Sequence, residues 1–273
     1  MRARLPERII CLSGETVDVL YQLGEENRIV GVTCFADRPL RARKEKPVVS
    51  SFTSAEIKKI IQLNPDLVLG FSDLQGDLFR ELVKSGLQVH LFNQRTIQGI
   101  LDMILILGGM VGAQAGARKL MTRLLTNIEK IRKKSALLTR HPMIYFEEWD
   151  EPLVCGIGWV SELITVAGGA DCFSELAAQP VAAERIIGNP SEIIQKMPDI
   201  IIGSWCGKPF NITNVRNRVG WNIIPAIRNE NIFEIRASDI LQPGPAALTV
   251  GLEQLSTIIL NWEAERKNGS NRT

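Results

Sequence analysis

The sequence predicts an α/β protein made of two lobes that a long helix joins. At 273 residues the chain is longer than a single hydrophobic core usually requires. One pattern also occurs twice, as "SAEIKKIIQLNPDLVLG" from Ser54 and as "PSEIIQKMPDIIIG" from Pro190. In both copies Ser and Glu precede a segment with helical periodicity, and Pro-Asp then leads into a short apolar run that ends at Gly. Because the copies lie about half a chain length apart, each indicates one lobe of similar construction.

Residues 1–95 are predicted to form an N-terminal Rossmann-like lobe with a parallel-type sheet. The apolar run "RIICLS", a helix-periodic segment capped by Gly24 and the strand-like "RIVGVT" make a β-α-β unit. Such units pair their strands in parallel through right-handed crossovers. Ser54 is the predicted N-cap of the next helix, Pro65 ends it, and "DLVLG" follows as a buried strand. The helix "GDLFRELVKSG" and the strand "LQVHLFN" complete this lobe.

Residues 96–140 are predicted to be the linking helix. No strand pattern occurs there, and apolar residues keep helical spacing from Ile97 to Ile131. The pair Gly108 and Gly109 predicts a break within the stretch.

Residues 141–264 are predicted to form a C-terminal α/β lobe. The strand-like "PMIYFEEW", the helical "GWVSELITVAGGAD", the strand-like "IIIGSW" and "NIFEIR", and a long terminal helix follow one another. Residues 265–273 are predicted to be a disordered tail, because their composition is too polar to build a core.

Composition and charge exclude several classes of function. A net charge of +2, with basic residues scattered along the chain, disfavours nucleic-acid binding. Five cysteines without any CxxC spacing disfavour a disulfide framework and a structural zinc site. The chain opens without a signal-like apolar segment, so we expect a cytoplasmic protein as written, or a periplasmic or membrane-associated one if an export signal was removed.

Catalytic motifs are lacking in the sequence. Neither GxSxG nor a phosphate-binding Walker loop occurs, and the two histidines, His90 and His141, belong to no recognisable motif. Glu147 and Glu148 are adjacent in a predicted strand, so their side chains point to opposite faces and do not form a catalytic dyad.

Aromatic residues follow several predicted strands. In parallel sheets, ligands bind at the loops beyond the carboxyl ends of the strands. Phe71, Trp149 and Trp205 stand just past strand ends, and Trp159 begins a helix soon after Trp149. Any one of these rings could simply cover its own lobe's core. Together they favour a large, flat, partly apolar ligand.

The segments quoted above, together with "EEWDEP" and "SWCG", resemble the substrate-binding proteins of vitamin B12 and iron-chelate ABC importers. This is the helical-backbone class of periplasmic binding proteins, also called class III, and the likeness runs from about Arg8 to Leu260. The resemblance is strongest to the branch described as cobalamin-binding.

The resemblance implies a non-enzymatic monomer that binds a corrinoid in a cleft between its lobes, without a further cofactor or a protein-ligated metal. An ABC permease is the implied protein partner. Two acidic residues, Asp77 and Glu192, match the positions that dock such proteins onto the permease. The implied ligand-binding residues are Phe35, Phe71, Trp149, Trp159, Trp205, Cys206, Ser238, Asp239, Gln242 and Gly244, the last four being part of a C-lobe loop that closes over the ligand.

Two alternatives stay open at this point. An iron-siderophore or haem binder would have the same architecture, but it calls for convergent Arg residues or for a His or Tyr ligand to haem iron. An enzyme could also be built on such a scaffold, with titratable groups in the cleft. Cys206 is the only soft candidate ligand for cobalt among the implied binding residues.

Overall fold

A computed structural model describes residues 4–270 as two compact units. The N-terminal unit comprises the chain up to Gln94, together with Gln98–Leu125 and Gln242–Ala246. The C-terminal unit comprises Arg95–Ile97, Thr126–Leu241 and the chain from Ala247 onward.

The N-terminal unit contains a sheet of five parallel strands. In chain order they are β1 (Ile9–Cys11), β2 (Ile29–Thr33), β3 (Val48–Ser50), β4 (Leu67–Phe71) and β5 (Val89–Phe92), and their spatial order is β3-β2-β1-β4-β5. The central strands β1 and β4 are fully buried, which explains why their sequences are continuous apolar runs without alternation.

Helices α1 (Gly14–Gln22), α2 (Ala42–Glu45), α3 (Ile57–Gln62) and α4 (Gly76–Lys84) accompany this sheet. The predicted N-cap of α3 was wrong, because the helix begins after Glu56. Ser54 instead closes a turn: its carbonyl accepts a hydrogen bond from the Ser51 amide at 2.9 Å. The two serine hydroxyl groups also lie 2.7 Å apart. A Ser side chain has such local alternatives to capping.

Two helices, α5 (Ile97–Met110) and α6 (Gln114–Ser135), form the linking region. Gly108 and Gly109 lie inside α5, so the predicted break there was wrong. The absence of a side chain at Gly108 lets Ala117 of α6 pack closely against it. The chain turns at Gly112, whose φ of +76° lies in the region that glycine adopts without strain.

The C-terminal unit contains a mostly parallel sheet. Its strands are β6 (Met143–Asp150), β7 (Leu153–Cys155), β8 (Ala170–Asp171), β9 (Ile200–Gly203) and β10 (Ile232–Glu234), in the order β10-β9-β6-β7, with β8 also pairing with β6. Only β7 among these described strands runs antiparallel to its neighbour, as the return strand of a tight connection from β6.

Seven helices accompany this sheet along the described part of the chain. They are α7 (Gly158–Ala167), α8 (Ser174–Ala177), α9 (Ser191–Lys196), α10 (Ile212–Arg216), α11 (Pro225–Arg228), α12 (Ala237–Ile240) and α13 (Leu252–Ser270), the last preceded by a π-helical turn over Ala247–Gly251. The predicted tail, residues 265–273, falls partly on α13 and partly outside the described residues. None of the helices within residues 4–270 combines the length and the apolar character that crossing a membrane requires.

The repeated sequence pattern has a repeated structure. Its first copy forms α3 and β4, and its second copy forms α9 and β9, in each case a six-residue helix followed by a buried central strand. The predicted fold class, two α/β lobes with mostly parallel sheets joined by a long helix, is confirmed.

Candidate functional site

Strand β6 of the C-terminal unit ends in three carboxylates, and each of them pairs with a cation. Glu147 accepts hydrogen bonds from both terminal nitrogens of Arg218, at 2.5 and 2.9 Å. Glu148 receives the two terminal nitrogens of Arg185 at 2.5 and 3.1 Å.

Asp150 accepts a hydrogen bond from Lys208 Nζ at 2.5 Å. The acidic charges of β6 and the three basic side chains around them therefore cancel locally.

Glu147 is the centre of a buried polar network. Its carboxylate is 0% exposed and also accepts hydrogen bonds from Tyr145 Oη at 2.9 Å and Trp205 Nε1 at 3.1 Å. Burial, and then the charge and hydrogen bond of Glu147, raise the pKa of Tyr145 well above its usual value. Burial lowers the pKa of Arg218, but the hydrogen bond and charge of Glu147 outweigh burial and leave it above the ordinary value. Glu147 and Arg218 thus form a fixed ion pair, and Tyr145 and Trp205 donate to the same carboxylate.

Glu148 belongs to a separate ion pair. Arg185 is 2% exposed and additionally donates to the carbonyl of Cys155 at 2.7 Å. Glu147 and Glu148 therefore bind different arginines and do not form a dyad, as their adjacency in a strand predicts.

The ammonium group of Lys208 contacts two of the predicted aromatic residues. It lies 4.3 Å from the ring centroid of Trp149 and 4.7 Å from that of Trp205. Both distances are within the range of cation–π attraction. The structure therefore brings Trp149 and Trp205 together, but through a lysine that already covers part of each ring.

Trp205 and Trp159 are buried, which corrects their expected role as broad ligand-facing surfaces. Trp205 is 5% exposed, belongs to the apolar core of the C-terminal unit and packs edge-on against Phe210 at 4.9 Å. Trp159 is 2% exposed, and its Nε1 donates to the carbonyl of Ile240 at 2.9 Å. Of the three predicted tryptophans, only Trp149 is partly exposed.

The remaining C-terminal candidates differ in exposure. Cys206 is exposed and Ser238 is half-buried. Asp239 is 2% exposed and accepts hydrogen bonds from Gln254 Nε2 at 3.0 Å and Arg236 Nε at 3.4 Å. This position makes Asp239 a support for its own turn.

In the N-terminal unit, Gln75 fixes the loops at the carboxyl ends of the strands. It is 0% exposed, accepts from the Phe71 amide at 3.0 Å, and donates to the carbonyls of Leu12 at 3.0 Å and Phe52 at 2.7 Å. Phe71 itself is 6% exposed and so offers little of its ring. Sequence analysis missed Gln75, because a single Gln after a strand carries no pattern.

The predicted closing loop is divided between the two units, which corrects its description as a C-lobe loop. Ser238 and Asp239 belong to the C-terminal unit, whereas Gln242 and Gly244 belong to the N-terminal unit. There Gln242 Nε2 donates to the carbonyl of Phe35 at 2.9 Å. Phe35 is half-buried and contacts Phe52 edge-on at 6.5 Å between centroids. The structure therefore places Gln242 beside Phe35, whereas Gly244 is buried against Glu15.

Glu15 is a buried carboxyl group that sequence analysis also missed. It stands in the first turn of α1, is 3% exposed, and its Oε1 has no hydrogen-bond partner among the described residues. Burial raises its pKa to about 7, opposed by hydrogen bonds from its own amide and from Ser13 and reinforced by nearby Asp18. A carboxyl group with such a pKa is protonated or ionised according to conditions near neutrality.

The two predicted docking residues are exposed at the starts of helices. Asp77 is 88% exposed in the first turn of α4 and forms an ion pair with Arg80 at 3.0 Å. Glu192 is exposed in the first turn of α9. Acidic side chains favour this position on any helix.

Histidine and tyrosine, the usual protein ligands of haem iron, lie away from the loops that follow the strands. His90 is inside β5 and packs edge-on against Phe92, and His141 precedes β6 with Nδ1 2.8 Å from the carbonyl of Gly168. Tyr145 is buried, and Tyr21 donates to Glu45 at 2.8 Å near the end of α1. Within residues 4–270, no group of three or more His, Cys, Asp or Glu side chains is arranged to hold a metal ion.

Residues 9–238 match the family model described as periplasmic binding protein. A vitamin B12-binding protein from Vibrio campbellii is 26% identical over 244 residues, which cover 87% of this chain and 84% of that protein. The solved structure of the vitamin B12-binding protein BtuF from Vibrio cholerae superposes with a TM-score of 0.75 at 21% identity, covering 94% of this chain and 98% of the other.

A haem-binding protein from Roseiflexus sp. has a similar fold, with a TM-score of 0.77 at 20% identity over 93% of this chain and 99% of the other. At such identities the structural likeness establishes the fold alone. The match to the family model covers most of the sequence and agrees with the two-unit architecture described above. The expectation of a cytoplasmic location gains no support from these matches. The chain belongs to the periplasmic binding protein family.

Proposed function

We propose that this chain is a non-enzymatic corrinoid-binding protein, the substrate-binding component of an ABC uptake system or a relative of one. The observation that carries the proposal is the local charge balance at the carboxyl end of β6. Arg185, Arg218 and Lys208 are each paired with a β6 carboxylate. A surface of this kind suits a ligand without net anionic groups.

An anionic iron–siderophore complex fits this surface less well. Binding it would require basic side chains with free hydrogen-bonding capacity. To use Arg218, such a ligand would have to displace the buried Glu147 carboxylate, and an uncompensated buried charge costs several kcal/mol, roughly 3–5. The pairing therefore favours a neutral, amide-bearing macrocycle over a carboxylate- or catecholate-bearing chelate.

A haem ligand is also disfavoured, because Tyr145 is buried and donates to Glu147, Tyr21 donates to Glu45, and the two histidines lie away from the loops that follow the strands. Corrinoids bring their own cobalt ligands, so they need no side chain at the metal. Contacts would come from partly exposed aromatic rings and from hydroxyl and amide groups. Phe35 and Trp149 are the aromatic residues that meet this description, with Ser238 and Gln242 as polar ones.

The similarity to proteins named for vitamin B12 binding supports the same choice. A haem-binding protein of similar fold makes haem the second ligand to test.

Equilibrium dialysis tests the proposal directly. Purified protein is dialysed against cyanocobalamin, haemin and a ferric hydroxamate siderophore in separate experiments, and each bound ligand is measured by its own visible absorbance. We expect saturable, stoichiometric binding of cyanocobalamin alone. Saturable binding of haemin or of the ferric siderophore without binding of cyanocobalamin would refute the corrinoid assignment.

Substitutions in each unit locate the contacts. Phe35→Ala and Trp149→Ala should each weaken cyanocobalamin binding by about 5- to 30-fold, since one ring contact with its burial contributes on the order of 1–2 kcal/mol. Phe233→Ala is the matched control, because Phe233 is similarly half-buried but lies within β10. Equal affinities for all three variants and the wild type would exclude these residues as ligand contacts.

We also propose that Asp77 and Glu192 dock the protein, as a monomer, onto a permease. Both are exposed, so Asp77→Lys with Glu192→Lys should leave cyanocobalamin affinity within about twofold. The same double variant should lose the ability to stimulate the ATPase of a corrinoid importer in proteoliposomes. Full stimulation by the double variant would remove these residues from the docking surface.

A further inference from the structure

The segment Gln242–Ala246, called the strap below, crosses the N-terminal unit although its flanking residues belong to the C-terminal unit. Hydrogen bonds from side chains help to hold it there. Gln242 Nε2 donates to the Phe35 carbonyl at 2.9 Å, and Gln94 Nε2 donates to the Pro243 carbonyl at 2.9 Å. Residues 243–246 of the strap are buried.

The strap contacts two acidic residues of α1, Glu15 and Asp18. A Cβ added to Gly244 would stand 2.6 Å from Cβ of Glu15, so only glycine allows the chain to pass this close. The backbone amide of Ala246 donates a hydrogen bond to the carboxyl group of Asp18. Glu15 is more than nine-tenths buried, and its Oε1 has no partner among the described residues.

The charged surroundings of Glu15 do not favour its ionised form. The strap carries no titratable side chain. Asp18 faces Glu15 from the same helix, and Cys11 approaches from β1 with a thiol whose pKa is raised to about 12 by burial. The nearby cations Arg38 and Arg123 act on Asp18. An ionised Glu15 would thus be a buried carboxylate beside a second acidic group.

We propose that Glu15 is a proton switch for the strap, which lies closed while Glu15 is protonated and is loosened when Glu15 ionises. With the strap closed, burial raises the pKa of Glu15 from 4.5 to about 7. With the strap open, the carboxyl group returns to water and to its ordinary pKa. The closed form therefore binds the proton more tightly, and closure is progressively lost as pH rises from about 4.5 to about 7. From these two pKa values, the ratio of open to closed strap increases about 70-fold between pH 5 and pH 8.

One consequence depends on the proposed function. Because Gln242 and Gly244 are among the predicted ligand contacts, corrinoid binding would weaken over the same range of pH. The strap's own response to pH does not depend on any ligand.

Hydrogen exchange measured by mass spectrometry on the ligand-free protein tests the switch. Peptides covering residues 238–250 are followed from pH 5 to pH 8, with rates corrected for intrinsic chemical exchange. In the wild type we expect opening of this segment to increase about 70-fold. Glu15→Gln keeps the size and the acceptor oxygen but removes the titration of Glu15, so its strap should show a much smaller corrected pH dependence than the wild type, with only Asp18 left to titrate beside it.

Glu81→Gln is the matched control, because Glu81 is an exposed acid on α4 of the same unit, and it should behave as the wild type. Protection of β4 peptides reports whether Glu15→Gln folds. A flat profile in the wild type overturns the proposal without any variant, and so does an unchanged pH dependence in a folded Glu15→Gln protein. Failure of cyanocobalamin to bind, with a pH-dependent strap, would overturn the proposed function and leave the switch standing.

Discussion

Replacing Arg218 by Met should strongly destabilise the C-terminal unit. The substitution removes two hydrogen bonds, at 2.5 and 2.9 Å, from a Glu147 carboxylate that is 0% exposed. Tyr145 and Trp205 still donate to Glu147, but neither carries a charge. Removing one partner of a buried ion pair typically costs about 3–5 kcal/mol. Because the Arg218 side chain is 20% exposed, water can hydrate Glu147 in part once Arg218 is removed. We therefore expect the free energy of unfolding to fall by about 3 kcal/mol, the lower end of that range.

Tryptophan fluorescence during urea unfolding measures this loss of stability in the C-terminal unit. All five tryptophans, at positions 149, 159, 205, 221 and 262, belong to the C-terminal unit. With a urea dependence of about 2 kcal/mol per molar, the midpoint should fall by about 1.5 M. Arg216→Met is the matched control, since Arg216 pairs with Glu230 at 3.3 Å at the surface, with side chains 46% and 74% exposed. Such a pair contributes about 0–1 kcal/mol.

A second substitution separates the charge from the packing. Adding Glu147→Gln to Arg218→Met removes the buried charge that the single substitution leaves uncompensated, so the double variant should be more stable than Arg218→Met alone. The reasoning fails if Arg218→Met and Arg216→Met shift the midpoint equally, or if Glu147→Gln makes the Arg218→Met protein less stable.

Two further pairs of substitutions test the packing of each unit. Gly203→Ala should lower the free energy of unfolding, measured by tryptophan fluorescence, by about 1–3 kcal/mol, because the new methyl group meets the ring of Phe210. Gly188→Ala is the control and should have little effect, because there is open space around Gly188. Equal effects would contradict the close packing at β9. Gln75→Leu should lower the free energy of opening that hydrogen exchange reports for β4 peptides by about 2–4 kcal/mol, because the substitution leaves buried amide and carbonyl groups unpaired. Gln62→Leu, at an exposed position, should leave this free energy unchanged. Unchanged β4 protection in Gln75→Leu would remove its assigned role.

Some features of the candidate site were predictable from the sequence, because they depend on neighbours in the chain. The opposite directions of Glu147 and Glu148 follow from strand geometry alone. Other features depend on partners far away in sequence. Arg218 and Arg185 reach β6 from 71 and 37 residues away, and nothing in the sequence around them indicates a carboxylate partner.

The exposure of the aromatic residues also could not be predicted from the sequence. Phe71, Trp149, Trp159 and Trp205 all stand near strand ends in the sequence, yet their exposures differ because burial depends on what packs against each ring. Trp205 has Phe210, Glu147 and Lys208 around it, whereas Trp149 keeps part of its ring exposed. A position in the sequence can place a ring at the edge of a sheet but cannot determine which of its faces is covered.

The sequence by itself determined two α/β lobes, the order of most of their strands and helices along the chain and the duplicated helix–strand unit, since hydrophobic periodicity and turn residues act over a few neighbouring positions. The short strands β3, β7 and β8 were not among those predicted. The tertiary structure decided that Gln242 and Gly244 pack on the N-terminal unit, that Glu15 is buried, and that every β6 carboxylate has a cation. Contacts of this kind join residues separated by tens to hundreds of positions. They form only when the folded chain brings those residues together.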